Sequence, residues 1–183
     1  MKTIYLSIFL FLIGFVSFSQ ETYFTKNATI SFFSSTLIED IEAVNHESVS
    51  FIKSTGSISF GVMIKSFKFE NGLMGEHFNE NYMESEKFPK AVFEGTITNI
   101  ETVNFKVDGT YPIDISGKMT IHGVTQPIDT KSALTIKSGK ILGAGFLRLK
   151  PEDYGIVIPA LVRGNIAEII DVNITAEYLP YVK

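Results

Sequence analysis

The chain has 183 residues, of which 20 are acidic and 16 are basic, and its formal net charge is −4 at pH 7. Because the sequence has no cysteine, disulfides, thiol catalysis and cysteine metal sites are excluded, and the fold must be stabilised by its own apolar core. An acidic chain without a basic cluster argues against binding to nucleic acid and against electrostatic docking on anionic lipid.

The first 19 residues have the pattern of a secretory signal peptide. Lys2 supplies a basic start, residues 4–16 are almost wholly apolar, and Ser17 and Ser19 are small residues placed for a cut after Ser19. The apolar run is too short for a comfortable transmembrane helix. We therefore expect residues 1–19 to be removed and residues 20–183 to form one domain. We expect the protein to be periplasmic or secreted, without stable membrane insertion.

The part of the chain that follows predicts strands. Ile30 and Phe32 alternate with Thr29 and Ser31, as in a half-buried strand. The apolar spacing of residues 37–44 fits a helix about as well as a twisted strand. We interpret this segment as a strand, because the segments on both sides of it are strands.

Residues 57–69 predict a long strand that contains a change of phase. The first half directs four apolar side chains to one face: Ile58, Phe60, Val62 and Ile64. Phe67 and Phe69 have the opposite parity, so the strand requires a bulge or a sharp bend near residues 65–66. Bends of this kind are typical of the rims of closed sheets.

Residues 67–95 contain an amphipathic helical pattern between two strands. Met74, Phe78 and Tyr82 lie at positions i, i+4 and i+8, which is one face of a helix. Phe88 and Pro89 end the pattern, because proline disfavours the helical conformation in the residue before it. In an otherwise all-β chain, we expect a lone helix with an aromatic face to plug or cap one end of a barrel.

The second half of the chain predicts strands joined by short turns. Residues 102–107 predict a strand that turns at Asp108 and Gly109 into the next strand. That next strand has the clearest alternation in the sequence, with six residues on one face: Tyr111, Ile113, Ile115, Gly117, Met119 and Ile121. Two further turns are predicted at residues 122–125 and 138–139, and the last strand ends near Tyr178.

These patterns amount to roughly eight amphipathic strands, which predict an all-β, antiparallel fold with one wet face per sheet. A barrel and a sandwich both fit the patterns. An eight-stranded barrel has an interior that is either filled by side chains or holds one small ligand.

Four spaced motifs resemble the YceI family of polyisoprenoid-binding periplasmic proteins. They are EHFNENY at residues 76–82, FPKAVF at 88–93, GKMTIHGVT at 117–125 and DYGI at 153–156. The resemblance implies an eight-stranded antiparallel lipocalin-like barrel with one short helix between strands. It also implies an apolar tunnel that holds a long isoprenoid chain, with a polyprenyl or quinone-like head near one mouth.

The candidate ligand-binding residues are mostly aromatic and apolar side chains that we expect inside the barrel. They are Phe60, Phe67, Phe69, Met74, His77, Phe78, Tyr82, Phe88, Phe93, Tyr111, Ile113, Phe146 and Tyr154. A tunnel lined in this way would bind a lipid by burying its surface, at about 25 cal/mol per Å². Alternatively, these aromatic side chains fill a closed core. His77 is the candidate to donate to a ligand oxygen at the barrel mouth.

Three functions stay open at this point. The first is non-catalytic binding or transport of an isoprenoid-type lipid, without a cofactor, a catalytic residue or a metal site. The second is a filled-barrel interaction or stress-response module with no bound lipid, which would have no large void. The third is a small lipid-modifying barrel enzyme, which would need an ionisable group with a perturbed pKa inside the barrel. The chain could also form a homodimer.

Overall fold

The computed structural model describes residues 21–181, and its main feature is a closed antiparallel barrel of eight long strands. The long strands are β1 (Thr22–Ser35), β2 (Asp40–Lys53), β3 (Ser57–Met63), β5 (Lys90–Ile97), β6 (Gly109–Ile121), β7 (Val124–Lys137), β8 (Lys140–Leu149) and β9 (Ile170–Pro180), and the two-residue β4 (Lys68–Phe69) pairs with β2. Their order around the barrel is β1-β9-β8-β7-β6-β5-β3-β2, and pairing of β1 with β2 closes the ring. The eight-stranded antiparallel lipocalin-like barrel with one short helix is therefore confirmed. The predicted signal peptide at residues 1–19 lies outside the described residues.

The two ends of the barrel differ, and we name them by their interiors. The packed end lies where β2 joins β3, β5 joins β6 and β7 joins β8, and its interior is filled by a cluster of buried side chains. The open end lies where β1 joins β2, β3 joins β5, β6 joins β7 and β8 joins β9. The longer of these connections, residues 64–89 and 150–169, surround the mouth of the barrel.

The connection from β5 to β6, residues 98–108, closes the packed end. It contains a 3₁₀ turn at Ile100–Thr102, and Ile100, Val103 and Phe105 pack against the core. The Phe105 ring stacks on Tyr23 with ring centroids 5.2 Å apart. The strand predicted at residues 102–107 is therefore wrong. β6 already occupies the neighbouring position beside β5, so this segment buries its apolar side chains across the barrel end instead.

The hairpin turn predicted at Asp108 and Gly109 is wrong for the same reason, because no strand precedes it. Two other predicted turns are confirmed. His122 and Gly123 have φ angles of 51° and 76°, and Ser138 and Gly139 have φ angles of 52° and 79°. Two consecutive left-handed residues form the turn type whose twist matches that of antiparallel strands. These turns connect β6 to β7 and β7 to β8.

The helical segment at the open end begins at Asn71, whose side-chain oxygen accepts a hydrogen bond of 3.0 Å from the Leu73 amide. Helix α1 (Gly72–His77) continues as a wider π-type turn (Phe78–Tyr82). The helical conformation therefore ends before the predicted stop at Phe88 and Pro89. The bend predicted near residues 65–66 is present as a 3₁₀ turn (Ile64–Ser66) between β3 and β4.

The connection from β1 to β2 is a short turn rather than a strand at residues 37–39. The Thr36 hydroxyl oxygen accepts hydrogen bonds of 3.1 Å from the Ile38 and Glu39 amides, which fixes the turn. The predicted strand is present from Asp40 onward, and the prediction was wrong for residues 37–39. Leu37 and Ile38 are left exposed at the tip of the turn.

Candidate ligand-binding site

A cavity of about 520 Å³ extends from the mouth at the open end down to the packed core. Ligand pockets are typically about 300–1,000 Å³, so this volume is sufficient for one small ligand. On β6 the lining residues run from Ile113 to Ile121. Eight residue steps at about 3.3 Å, on strands tilted by about 40°, correspond to roughly 20 Å along the barrel axis. The cavity is therefore long and narrow, which suits an extended chain.

Phe93 on β5 belongs both to the cavity wall and to the packed core, at the level of Met119 on β6. Its side chain is 7% exposed and belongs to the packed cluster while also lining the cavity. The ring lies over the paired glycines Gly95 and Gly117, because a Cβ atom at either position would come within 2.7 Å of the ring's Cζ atom. Tyr178 covers Gly143 on the opposite wall in a similar way, with 3.2 Å to a Cβ placed there. Glycine on the strands thus makes room for the aromatic rings of Phe93 and Tyr178.

A cluster of four phenylalanines joins the helical segment to the barrel near the mouth. Phe78 packs against Phe32, Phe67 and Phe69, with ring centroids 5.4, 5.7 and 5.0 Å apart, respectively. All four side chains also line the cavity. The helix therefore has the predicted role of capping one end of the barrel, and its aromatic face forms part of the upper wall.

The polar groups that could contact a ligand head lie at the mouth. His77 is exposed, and its Nδ1 lies 3.0 Å from the Asn81 side-chain amide. Because that amide donates, a neutral His77 ring carries its proton on Nε2. Across the mouth, the Asn165 amide donates to a Glu39 carboxylate oxygen at 2.9 Å. Among the described lining residues, Glu39 is the only carboxylate and His77 the only imidazole.

Two of the tyrosines that line the interior, Tyr154 and Tyr178, have a raised pKa and are neutral at physiological pH. Burial raises the pKa of Tyr178, although the hydrogen bond of 2.8 Å between its hydroxyl and Ser50 opposes that effect. Burial, together with the charge of Asp153, raises the pKa of Tyr154. The Tyr154 hydroxyl is buried and has no hydrogen-bond partner within residues 21–181.

The structure brings ten of the thirteen candidate residues to the cavity wall. They are Phe60, Phe67, Phe69, Met74, His77, Phe78, Tyr82, Phe93, Ile113 and Tyr154. Phe88, Tyr111 and Phe146 do not line it. Contact between these ten residues and a ligand stays a prediction.

Phe146 points outward, so its expected interior position was wrong. The inward positions on β8 are odd-numbered and include Gly143, Gly145 and Leu147. Phe146 has the opposite parity, is 45% exposed, and packs beneath the Arg148 guanidinium, whose carbon lies 5.7 Å from the ring centroid. Glycine at the inward positions removes the apolar alternation that would have shown which face is inside.

The other two candidates outside the cavity lie at opposite ends of the barrel. Phe88 packs against the His122 ring on the outer side of the open end, with centroids 4.5 Å apart. Tyr111 lies at the packed end, where its hydroxyl donates to the Val107 carbonyl oxygen at 3.0 Å. Phe88 therefore lies outside the cavity, and Tyr111 packs against the filled core instead of lining the cavity.

Several lining residues were not among the candidates because they are aliphatic rather than aromatic. Strands β1, β8 and β9 contribute a continuous apolar wall: Ile30, Leu147, Leu149, Ile170, Val172 and Ile174. Their period-two alternation in the sequence was the signal that could have found them.

Two kinds of feature are absent from residues 21–181. No group of three or more His, Cys, Asp or Glu side chains in this range could hold a metal ion. Within the same residues, none of the helices has the length and apolar character needed to cross a membrane.

The chain belongs to the family of YceI-like domains, because its sequence matches the family model over residues 16–178. This match confirms the resemblance that the four motifs indicated. A search of curated proteins found no match for this chain.

Three solved structures illustrate the similarity in fold. A polyisoprenoid binding domain from Saccharophagus degradans is 16% identical, with a TM-score of 0.77 over 89% of this chain and 100% of that chain. BcnA from Burkholderia cenocepacia is 13% identical, with a TM-score of 0.69 over 83% of this chain and 96% of that chain. The YCEI protein of Campylobacter jejuni is 16% identical, with a TM-score of 0.54 over the full length of both chains. At these levels of sequence identity, the similarity shows a shared fold alone.

Proposed function

We propose that this protein binds one isoprenoid-type lipid, such as a polyprenyl or quinone-like molecule, in the barrel cavity and does not modify it. The observation that carries this proposal is the long apolar cavity of about 520 Å³. Membership of the YceI-like family and a structural neighbour named as a polyisoprenoid binding domain support the same ligand class.

The chemistry of the wall supports a hydrocarbon ligand. Each 100 Å² of lipid surface buried there contributes about 2.5 kcal/mol of transfer free energy. Polar groups are concentrated at the mouth, where Glu39 and His77 lie. We infer that the chain of the lipid enters first and that its head stays near the mouth, so that the fit of the chain decides selectivity.

The two alternatives have less support. A filled-barrel module requires an interior without a large void, which the cavity volume opposes. A lipid-modifying enzyme requires an ionisable group inside the barrel, and the described lining offers a carboxylate and an imidazole at the mouth alone. The signal-peptide pattern at residues 1–19 supports action in the periplasm or outside the cell.

A titration with prenyl alcohols of increasing chain length tests the proposal. We expect one molecule per chain, with affinity that rises with chain length and then levels off when the cavity is full. Met119→Trp, which places a larger side chain in the cavity, should lower the length at which affinity levels off. Lys118→Trp is the matched control, because Lys118 is exposed on the outer face of the same strand.

The result that would overturn the proposal is a folded protein that binds none of the prenyl alcohols. Equal effects of Met119→Trp and Lys118→Trp on chain-length preference would also overturn it, because the ligand would then lie outside the barrel.

A further inference from the structure

We propose that the open end docks on the surface of a neutral lipid bilayer, through a rim of exposed apolar side chains around the cavity mouth. The rim consists of Leu37, Ile38, Leu73, Val157 and Leu161. Docking would place the mouth against the bilayer, so that a lipid can pass between the bilayer and the cavity. The purpose of docking rests on the proposed lipid-binding function, whereas the docking itself does not.

The rim side chains are far more exposed than apolar residues usually are. Leu37 is 108% exposed and Leu161 is 95% exposed, while Val157, Ile38 and Leu73 are 76%, 69% and 57% exposed. A single exposed leucine is unremarkable in a soluble protein. Five such side chains on three segments around one opening form a patch, and exposed apolar patches mark sites of interaction.

Two of the three segments contact each other, so their tips form one edge. The Asn165 amide donates to Glu39 at 2.9 Å, and the Ala167 amide donates to the Ser34 hydroxyl oxygen at 2.9 Å. A Cβ atom at Gly164 would lie 3.0 Å from the Ile38 Cδ1 atom. The β1–β2 turn and the β8–β9 connection are therefore held together where Leu37, Ile38 and Leu161 project.

The β8–β9 connection is apolar on both of its faces. Ile158, Val162 and Ile166 line the cavity, whereas Val157 and Leu161 point away from it into solvent. A loop that covers a cavity and faces water needs apolar side chains on the inner face only. The apolar outer face indicates that something other than water covers it during function.

The charges of the β8–β9 connection favour contact with a bilayer over exposure to water. Residues 156–167 contain no acidic side chain and one basic side chain, Arg163, although the whole chain has a net charge of −4. Val157 and Leu161, with Arg163 close by, suit the bilayer interface, where apolar tips enter the acyl region and the guanidinium reaches the phosphate level. Leu37 and Ile38, in contrast, are followed by the acidic Glu39 and Asp40. With its acidic net charge, the protein gains little from anionic lipid, so the attraction is chiefly apolar.

The position of the mouth favours a bilayer over a protein partner. Ile158 and Val162 line the cavity from the same short segment that carries Val157 and Leu161. On this segment apolar side chains thus continue from the rim into the cavity, whereas Glu39 and His77 lie on other parts of the mouth. A lipid that leaves a docked bilayer along this path stays in apolar surroundings throughout.

Flotation with vesicles tests the docking directly. The probe is a vesicle of phosphatidylcholine and phosphatidylethanolamine, and the variant is the double substitution Leu37→Glu with Leu161→Glu. Both side chains are exposed, so the unfolding midpoint should stay close to that of the wild type. The matched control is Leu142→Glu with Leu179→Glu, whose leucines are 43% and 52% exposed near the packed end.

We expect the wild type and the control to float with the vesicles, and the rim variant to partition at least about tenfold less. Binding of a prenyl alcohol delivered in detergent should be equal in all three proteins. A wild type that does not float, or three proteins that float equally, would overturn the docking proposal. A dimer that the rim variant abolishes, without vesicle binding by the wild type, would also overturn it and assign the rim to a second copy of this chain.

The two proposals can fail separately. If the wild type floats through its rim but binds no prenyl alcohol, the docking is upheld and the proposed function is contradicted. If it binds prenyl alcohol in detergent but ignores vesicles, the proposed function is upheld and the docking is contradicted.

Discussion

At the packed end the barrel interior is filled, whereas at the open end the same eight strands surround a cavity of about 520 Å³. The packed end is closed by the β5–β6 connection, which directs Val103 and Phe105 into the barrel. The open end is bounded by a helix and a long connection whose apolar side chains leave space between them. The packed end of the barrel can therefore supply the stability that the hollow end lacks.

Phe93, at the boundary between the two ends, should show the largest effect. Phe93→Asp places a carboxylate where the ring is 7% exposed, and we expect it to lower the free energy of unfolding by more than about 4 kcal/mol or to prevent folding. Phe146→Asp is the matched control on the outer face, with an expected change within about 1 kcal/mol. Urea denaturation measures both. A stable Phe93→Asp protein that still binds lipid would show that Phe93 does not point into the barrel interior.

The next largest effect separates stability from binding. Ile136 is 2% exposed in the packed core, so Ile136→Ala should lower the free energy of unfolding by about 2–5 kcal/mol and leave lipid affinity unchanged. Phe78→Ala, at the mouth, should change lipid affinity or chain-length preference more than it changes stability. Urea denaturation and prenyl alcohol titration on both variants measure the two quantities. Equal loss of affinity in both variants would contradict the division between the ends.

The buried tyrosines predict a loss of stability in alkali. Burial raises the pKa of Tyr178 and Tyr23 above the ordinary value near 10, and the hydrogen bond from Tyr23 to Glu21 adds to the effect. The folded state thus keeps protons that the unfolded state loses. Stability should be unaffected by these groups below about pH 10 and fall above it, by up to about 1.4 kcal/mol per pH unit for each tyrosine. Urea denaturation from pH 8 to 11 checks this, and Tyr178→Phe should flatten the slope.

Two tyrosine hydroxyls, one at each end, should respond with opposite sign. Tyr154→Phe removes a buried hydroxyl that lacks a partner within the described residues and should raise the free energy of unfolding by about 1 kcal/mol. Tyr178→Phe removes the hydrogen bond to Ser50 and should lower it by about 1 kcal/mol. Thermal unfolding at neutral pH measures the pair. The same sign in both variants would refute the difference in hydrogen bonding.

His77 should show the smallest effect, confined to the ligand head. His77→Phe should weaken binding of a prenyl lipid with a polar head by a few-fold, because one hydrogen bond contributes about 1 kcal/mol. Affinity for a prenyl hydrocarbon without a polar head is the control and should not fall. Unchanged affinity for the polar lipid would exclude His77 as a donor.

The sequence predicted the barrel well where strands alternate strictly. The β6 face from Tyr111 to Ile121 and the turn at His122 and Gly123 were correct, because period-two alternation and paired left-handed residues have direct structural meanings. Residues 102–107 were wrong because an apolar segment that crosses a barrel end has the same local pattern as a strand. Such a segment forms a strand only if a neighbouring strand is free to pair with it, and β5 already pairs with β6.

The candidate site was predictable in chemistry but not in every residue. Aromatic residues near the helix, such as Phe67 and Phe78, were placed at the cavity because the helix pattern and the strand bend fix their direction. Phe146 failed because inward glycines on β8 hid the parity of that strand. The aliphatic wall of β9 was missed because its alternation indicates burial equally well in a filled core.

Native mass spectrometry of the protein purified from its own source tests the central claim most directly, followed by extraction and identification of the lipid. We predict one bound isoprenoid-type lipid per chain, retained by the wild type and lost or shortened in Met119→Trp but not in Lys118→Trp. A folded, empty protein that also refuses added prenyl lipids would contradict the claim.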